Sequence, residues 1–358
     1  MSHANISRKS PSWIIGHVET TAGNILLVST KLTAIDILGF WRMRWGIHRM
    51  NYKVAPGLYA IGSPGQDSPV LVSANYKMSF DILRRAVSSH NAWLVVIDTK
   101  GVNVWCAAGK GTLSTGAVLW QIKLTGLQKI APKATIVLPQ LSATGVKAHE
   151  VQKVSGLRTV FGPVRADDIP AFLENGMKAT AEMRKVKFGM IDRLALTLVE
   201  VKGTFKYLVL LSAILFILGG VSWSGFFLER AWRLLAAGGV ALLGAVLMGT
   251  VVTPMLLPWI PGRAFSVKGG QIGLAWALAV FAYNWNFLSG VGLPGITNRI
   301  AALIAIPAIS AYLAFNFTGS STYTSMSGVR KEMLIALPVI IGAGIIGTVV
   351  FITGLVMR

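Results

Sequence analysis

The chain has 358 residues, 53% of them hydrophobic, and carries 34 Lys+Arg against 14 Asp+Glu for a formal charge of +20. It contains one cysteine. A lone sulfur forms no intramolecular disulfide and cannot supply the roughly four ligands of a structural zinc site or an iron–sulfur cluster.

Residues 1–205 hold 25 of the 34 Lys+Arg and 12 of the 14 acids, whereas 206–358 hold nine and two. The first part therefore reads as a basic domain in water, the second as apolar runs of membrane-spanning length. The basic residues are spread along the first part, and no zinc knuckle, helix-turn-helix or aromatic RNA-binding motif accompanies them. No nucleic-acid partner is expected. The densest cluster, Arg184 to Lys187, directly precedes the apolar half and suits anionic lipid headgroups.

Residues 1–60 show no clear pattern and are expected to be irregular. From residue 61 to about 200, strand-like and helix-like runs alternate. Pro69 to Ala74 (PVLVSA) is the first strand, followed by helical spacing over Lys77 to Ser89. Ala92 to Thr99 (AWLVVIDT) is the second, after which a helix is predicted to open near the cysteine and run to about Gln121. Ala134 to Leu138 and Arg158 to Val164 are the third and fourth strands. Helices follow over Gly145 to Val154 and about Ala166 to Val186. Continuously apolar strands between helices imply an α/β fold, a Rossmann-like parallel sheet covered on both faces.

Ligands of such sheets sit beyond the carboxyl ends of the strands. Those ends are Ser73-Ala74-Asn75-Tyr76, the stretch Asp98 to Lys110, Pro139 to Gly145, and Phe161-Gly162-Pro163-Val164-Arg165. All are rich in small or turn-forming residues. Ser73, Asn75, Gln140, Gly162 and Pro163 are the candidate ligand contacts at this edge. The cysteine shares it, within Asn103-Val104-Trp105-Cys106-Ala107-Ala108-Gly109-Lys110. Asn103 is a good N-cap residue, and Ala107, Ala108 and Gly109 are small enough to let a flat ligand approach a helix. By themselves Asn103 is also an ordinary cap and Lys110 an ordinary surface charge. The Gly109-Lys110 pair does not make a phosphate-binding loop, because residue 104 is valine and Gly111 follows the lysine.

Five apolar segments, roughly 206–228, 231–257, 271–290, 296–317 and 333–356, are long enough to cross a hydrocarbon core of about 30 Å. Residues 206–358 are thus expected to be a helical transmembrane domain of five spans. With residues 1–205 on the cytoplasmic side, Lys187, Arg193, Lys202, Lys206, Arg263, Lys268, Arg330 and Lys331 also fall there. Only Arg230, Arg233, Arg299 and Arg358 fall opposite. The positive-inside rule therefore predicts a multi-pass protein of the cell inner membrane with its soluble domain in the cytoplasm. Asn284, Trp285, Asn286 and Asn316 are the polar exceptions in the spans; isolated asparagines more often bond neighbouring helices than line a path. An anchor is favoured over transport. The hydroxyl-rich stretch Thr318 to Ser327 reads either as a docking loop or as a linker.

The run from Asn103 to Lys110 resembles the cap-helix motif of the membrane-bound corrinoid proteins of microbial mercury methylation. The similarity extends over the α/β domain, the five spans and the loop Asn316 to Ser325. The core, with Phe161-Gly162-Pro163-Val164-Arg165-Ala166-Asp167-Asp168-Ile169-Pro170, is also similar to the corrinoid-binding domain of the large corrinoid iron–sulfur subunit of acetyl-CoA synthesis. The resemblance implies that residues 61–200 bind a corrinoid of the cobalamin type, with the Cys106 thiolate as lower axial cobalt ligand. It implies cofactor contacts by Asn103, Val104, Trp105, Ala107, Ala108, Gly109 and Lys110. It further implies a methyltransferase that passes methyl from methyl-Co(III) to Hg(II), a soft electrophile matched to an electron-rich donor. The implied partners are a ferredoxin-like [4Fe–4S] protein, as reductant and mercury donor, and an upstream methyltransferase supplying methyl. A histidine ligand is not expected, since none of His3, His17, His48, His90 and His149 lies in an Asp-x-His-x-x-Gly spacing. A membrane-anchored methyl carrier for another acceptor, and a transporter with a regulatory domain, are the alternatives.

Overall fold

Ala92–Ile97, the strand β5, is buried along its whole length because both faces of the sheet around it are covered. The computed structural model describes residues 11–283, 295–324 and 326–357. The chain divides into two units, Met1–Val186 and Lys187–Arg358.

In the first unit the sheet comprises β1 (Ile14–Thr20), β2 (Gly23–Val28), β3 (Gly57–Ile61), β4 (Val70–Ala74), β5, β6 (Ile136–Leu138) and β7 (Thr159–Phe161). Its order is β1-β2-β3-β5-β4-β6-β7. The last four strands are mutually parallel, as expected, while β1 runs antiparallel to β2 and β3 antiparallel to β5. Residues 1–60 are therefore not irregular where they are described. Ile14, Gly16, Val18 and Thr20 face inward in alternation, the period-two pattern of a half-buried strand, and a turn at Gly23 returns the chain as β2. Seven residues of such alternation are a weak signal beside the solid apolar runs that follow.

Alternation along β5 divides the core. Trp93, Val95 and Ile97 pack with Val72, Ile136 and Leu138 on one face, under the helices α3 (Val104–Gly109), α4 (Thr115–Leu124), α5 (Leu127–Ile130) and α6 (Ala148–Ser155). Leu94 and Val96 pack on the other with Phe80 of α2 (Lys77–Ala86) and Phe172 of α7 (Ile169–Glu174). Phe80 and Phe172 have no exposed surface; burial of such a ring stabilises by roughly 1.5–3 kcal/mol.

Two predicted helices are shorter than expected. The helix that opens at the cysteine motif ends at Gly109 instead of running to Gln121. Gly111 takes a left-handed φ of 76°, and Ser114 then caps α4 by accepting the Ala117 N–H at 3.3 Å. The helical run expected from Ala166 to Val186 closes at Glu174, just before Gly176 with φ 63°.

Helix α1 (Ala34–Arg44) is joined to α2 by a buried quartet of charges. Lys77 Nζ donates to Asp36 Oδ1 at 2.9 Å and also to Asp81, while Arg84 donates to Asp36 at 2.9 Å and Asp81 at 2.7 Å. Arg84 adds bonds to the carbonyls of Ser29 and Lys31, so every charge has partners. Desolvation raises the Asp36 pKa, but hydrogen bonds from Thr33 and Lys77, with the Lys77 charge, outweigh it and hold that carboxyl down to about 2.

Among its described residues the second unit holds five helices long and apolar enough to cross a membrane. They are α8 (Met190–Gly220), α9 (Leu228–Leu247) continued by α10 (Thr253–Leu256), α11 (Phe265–Tyr283), α12 (Gly295–Asn316) and α13 (Met326–Val356). The first begins earlier than the apolar window at 206–228 and stops at Gly220, where a small hairpin of Val221–Ser222 and Gly225–Phe226 follows. Between α9 and α10 the backbone widens to π spacing over Met248–Val252. Pro254, having no N–H, cannot bond the carbonyl four residues back. Helices α11 and α12 touch through small residues: a Cβ at Gly269 would stand 2.6 Å from the Ser310 carbonyl oxygen, and one at Gly273 2.6 Å from Ser310 Cβ. Asn284, Trp285 and Asn286 lie outside the described residues. Asn316 ends α12.

The hydroxyl-rich stretch is tied within its own unit. Phe317–Ser320 form a 3-10 turn, and the Tyr323 hydroxyl accepts a bond from buried Arg193 at 3.1 Å. Arg193 also donates to the carbonyls of Phe188 and Met255, both at 2.9 Å.

Candidate functional site

The site is built from the loop that joins β5 to α3. Asn75, at the end of β4, is buried and uses its whole amide on that loop. Its Nδ2 donates to Asp98 Oδ1 at 2.9 Å, and its Oδ1 accepts from the N–H of Thr99 and Gly101 and from the Thr99 hydroxyl at 2.9–3.0 Å. Lys100 and Gly101 are thereby held at left-handed φ of 58° and 77°, and the chain turns sharply toward α3.

Asn103 then caps α3. Its backbone is extended (φ −66°, ψ 163°), and its Oδ1 accepts the Cys106 N–H at 2.9 Å. The cap fixes the first turn and leaves the Cys106 side chain exposed. Ala107 and Ala108 do not open a surface for a ligand, because both are buried and Ala107 packs into the sheet-facing core. Gly109 instead faces open space: a Cβ there would meet nothing within 4 Å. Lys110 is exposed and its N–H closes the helix on the Cys106 carbonyl at 3.0 Å.

Beside α3 lies a cavity of about 320 Å³, walled mainly by apolar groups. It brings together six residues expected from sequence: Ser73, Asn103, Val104, Trp105, Gly162 and Pro163. Pro139 and Leu141 complete the β6 side. Gln140, between those two, presents a buried Oε1 that has no hydrogen-bond partner within the protein. A lone buried acceptor is costly; Gln140 stands in the turn after β6 between two residues that line the cavity, without lining it itself. At Gly162 a Cβ would stand 2.7 Å from Val137 Cγ1, so the turn after β7 admits no side chain. Asn75 is an expected contact that the structure places elsewhere, as a staple of the loop, and Gln140, Ala107 and Ala108 do not line the cavity either.

Several neighbours were not expected. Ser79, Ile82 and Leu83 of α2 line the cavity, and their helical spacing reads in sequence as an ordinary amphipathic stripe. Tyr76 is buried at the start of α2, near Cys106. Burial pushes its phenol above the ordinary value; a hydrogen bond and charge from Arg49 and the charge of Arg44 oppose this, and Cys106 adds to it. The two arginines come from the region before β3, which sequence left without structure. Among the described residues no three His, Cys, Asp or Glu side chains gather as a metal site.

Residues 10–173 match the family model described as the CO dehydrogenase/acetyl-CoA synthase delta subunit. This is the α/β unit with its cysteine loop. Similar proteins include the acetyl-CoA decarbonylase/synthase complex subunit gamma of Methanopyrus kandleri, 32% identical over 124 residues, covering 34% of this chain and 26% of that protein. The subunit gamma of Methanothermobacter thermautotrophicus is 27% identical over 155 residues, 42% of this chain and 33% of that one. The subunit gamma 2 of Methanosarcina thermophila is 28% identical over 121 residues, 33% of this chain and 25% of that one. The chain thus spans about a quarter to a third of the length of these relatives.

Proposed function

We propose that the α/β unit binds a corrinoid, that the Cys106 sulfur is the lower axial ligand of its cobalt, and that the chain is a methyltransferase delivering methyl to Hg(II). The observation that carries this reading is an exposed thiol on a capped turn beside an apolar cavity at the carboxyl ends of β4, β6 and β7. The match of residues 10–173 to an acetyl-CoA synthase subunit model, with the similarity to acetyl-CoA decarbonylase/synthase subunits, supports a methyl-handling role.

The residues present fit such a group. Trp105, Val104 and Pro163 offer apolar surface to a ring, and the neighbouring turn holds a buried Gln140 Oε1 that lacks a partner within the protein. A corrinoid is larger than the cavity, so part of it would lie on the open side near Cys106 and Gly109. When bound, it supplies a cobalt-held methyl group made electron-rich by a sulfur donor, which suits a soft electrophile such as Hg(II). The chain's own part is to hold the sulfur still. Asn103 fixes the turn that bears it, Asn75 fixes the loop that bears Asn103, and the buried Ala107 and Ala108 press the helix to the sheet.

The apolar helices of the second unit serve as a bilayer anchor, with the α/β unit in the cytoplasm. A single sulfur leaves electron supply to a separate ferredoxin-like [4Fe–4S] protein, and methyl supply to another methyltransferase. The relatives' names, as complex subunits of acetyl-CoA chemistry, favour one second reading: a membrane-anchored methyl carrier for an acceptor other than mercury.

The test is a visible spectrum of the purified chain reconstituted with a corrinoid, together with methylmercury formation in cells. Cys106→Ala is expected to lose the sulfur-ligated spectrum and mercury methylation together. An unchanged spectrum rejects the axial role. A normal spectrum without methylmercury leaves the carrier reading.

A further inference from the structure

Helix α1 is inverted relative to an ordinary surface helix. Its buried stripe is Asp36, Gly39 and Met43, at i, i+3 and i+7, and contains one of the two carboxylates of the ion quartet. The opposite stripe, Ala34, Leu38, Trp41 and the following Trp45, at i, i+4, i+7 and i+11, is exposed and apolar. Ile35 is 71% exposed, Leu38 59% and Trp41 55%. Ile47 and Met50, just beyond, are exposed as well. A contiguous apolar face of this kind marks a contact with something outside the fold.

Charge identifies the occupant. From Thr20 to Gln66 the one acidic residue is Asp36, which is buried in the quartet, while Lys31, Arg42, Arg44, Arg49 and Lys53 are cationic. On the helical wheel Arg42 and Arg44 stand on either side of the apolar face. Tryptophan on an apolar face edged by arginine is the composition of a helix lying in the headgroup region of an anionic bilayer. Among its described residues the same chain carries five helices apolar enough to span a membrane, so a bilayer would be joined to the α/β unit by the polypeptide itself at high effective concentration.

We propose that α1 is an interfacial helix that docks the α/β unit on the anionic lipid surface through Leu38, Trp41 and Trp45. Docking limits the tumbling of the soluble unit against the membrane that anchors it, and sets which of its surfaces remain open to soluble partners. The inference rests on the membrane reading of the second unit, and its test separates the two.

The full chain, in a Cys106→Ser background, is labelled with an environment-sensitive fluorophore at Leu38→Cys, at Lys123→Cys on α4, or at Ile346→Cys on α13. It is reconstituted in phosphatidylcholine vesicles with or without phosphatidylglycerol and with lipids brominated along the tails. Quenching is expected at 346 in all vesicles, at 38 with phosphatidylglycerol, and at neither condition for 123. Arg42→Glu is expected to reduce the quenching at 38 severalfold and leave that at 346 unchanged. Quenching at 346 without quenching at 38 overturns the docking while the spans stand; loss at both rejects the membrane reading itself. Equal quenching at 38 without phosphatidylglycerol overturns the anionic surface. Shielding of 38 that requires an added protein assigns the face to that partner and overturns the proposal.

Discussion

The Oδ1 of Asn103 accepts the backbone N–H of Cys106 at 2.9 Å, so the residue that starts α3 also holds the one sulfur of the chain in place. The bond satisfies an amide that the first helical turn would otherwise leave without a partner. It holds Cys106 on the helix whose first residues line the cavity, without engaging the thiol.

Replacing Asn103 by alanine is expected to cost about 1 kcal/mol of local stability, the usual worth of an N-cap. Asn103→Asp or Asn103→Ser keeps an acceptor and is expected to restore most of it. Corrinoid binding titrated by visible absorption checks this: weakened binding in the alanine variant, with near-normal binding in the other two. Equal weakening in all three would mean that Asn103 contacts the ligand directly and that its cap is incidental.

Asn75→Ala leaves the N–H groups of Thr99 and Gly101 without their acceptor in a buried place. Each such orphan costs about 1–3 kcal/mol, so the β5–α3 loop is expected to open locally. Hydrogen exchange of the peptide covering 98–106 should speed up markedly, while that of β5 stays slow. Uniform acceleration through the whole sheet would show instead that Asn75 supports the fold at large.

At Gly162 a methyl group would meet Val137 Cγ1 at 2.7 Å. Gly162→Ala is expected to cost about 1–3 kcal/mol by overpacking and to shift the turn that walls the cavity. Thermal unfolding of the α/β unit within the full chain, followed by near-ultraviolet circular dichroism, measures the first effect. Combining it with Val137→Ala should recover part of the loss, because that substitution removes the clashing methyl.

The Asp36 carboxyl has a folded pKa of about 2, below the ordinary carboxylate value near 3.9. A depressed acid contributes stability that is complete above the unfolded value and disappears as pH falls through the folded one. The attachment of α1 to α2 should therefore hold at pH 5 and weaken by about 2 kcal/mol as the medium is taken from pH 4 toward 2. Exchange of α1 amides, corrected for the intrinsic rate at each pH, reports it. Asp36→Asn should remove the pH dependence and leave α1 loosely attached throughout.

Much of the α/β core was legible because its strands are unbroken apolar runs separated by helical spacing, a pattern that only a doubly covered parallel sheet produces. The region before residue 60 was not. Its strands are half-buried and alternate in short stretches, and its one helix has apolar residues on the face away from the core. Such a helix has no periodic signal to find. The site shows the same division. Asn103 announced itself as a cap by residue type and position, whereas the bonds of Asn75 to a loop some 24 residues onward depend on how β4 and β5 lie side by side. Ala107 and Ala108, small in sequence, were expected to face a ligand. Their position at the fourth and fifth places of a short helix buries them instead.

By itself the sequence determined the apolar strands, the five long apolar segments, the lone sulfur and the cap three residues before it. Each is set by local composition or by spacing along one element. Tertiary structure alone decided that β4, β6, β7 and α3 enclose one cavity, that the buried Gln140 oxygen is left without a partner within the protein, and that Asp36, Lys77, Asp81 and Arg84 meet. Those facts rest on contacts between residues far apart in the chain, and only packing of the sheet and its helices brings such residues within bonding distance.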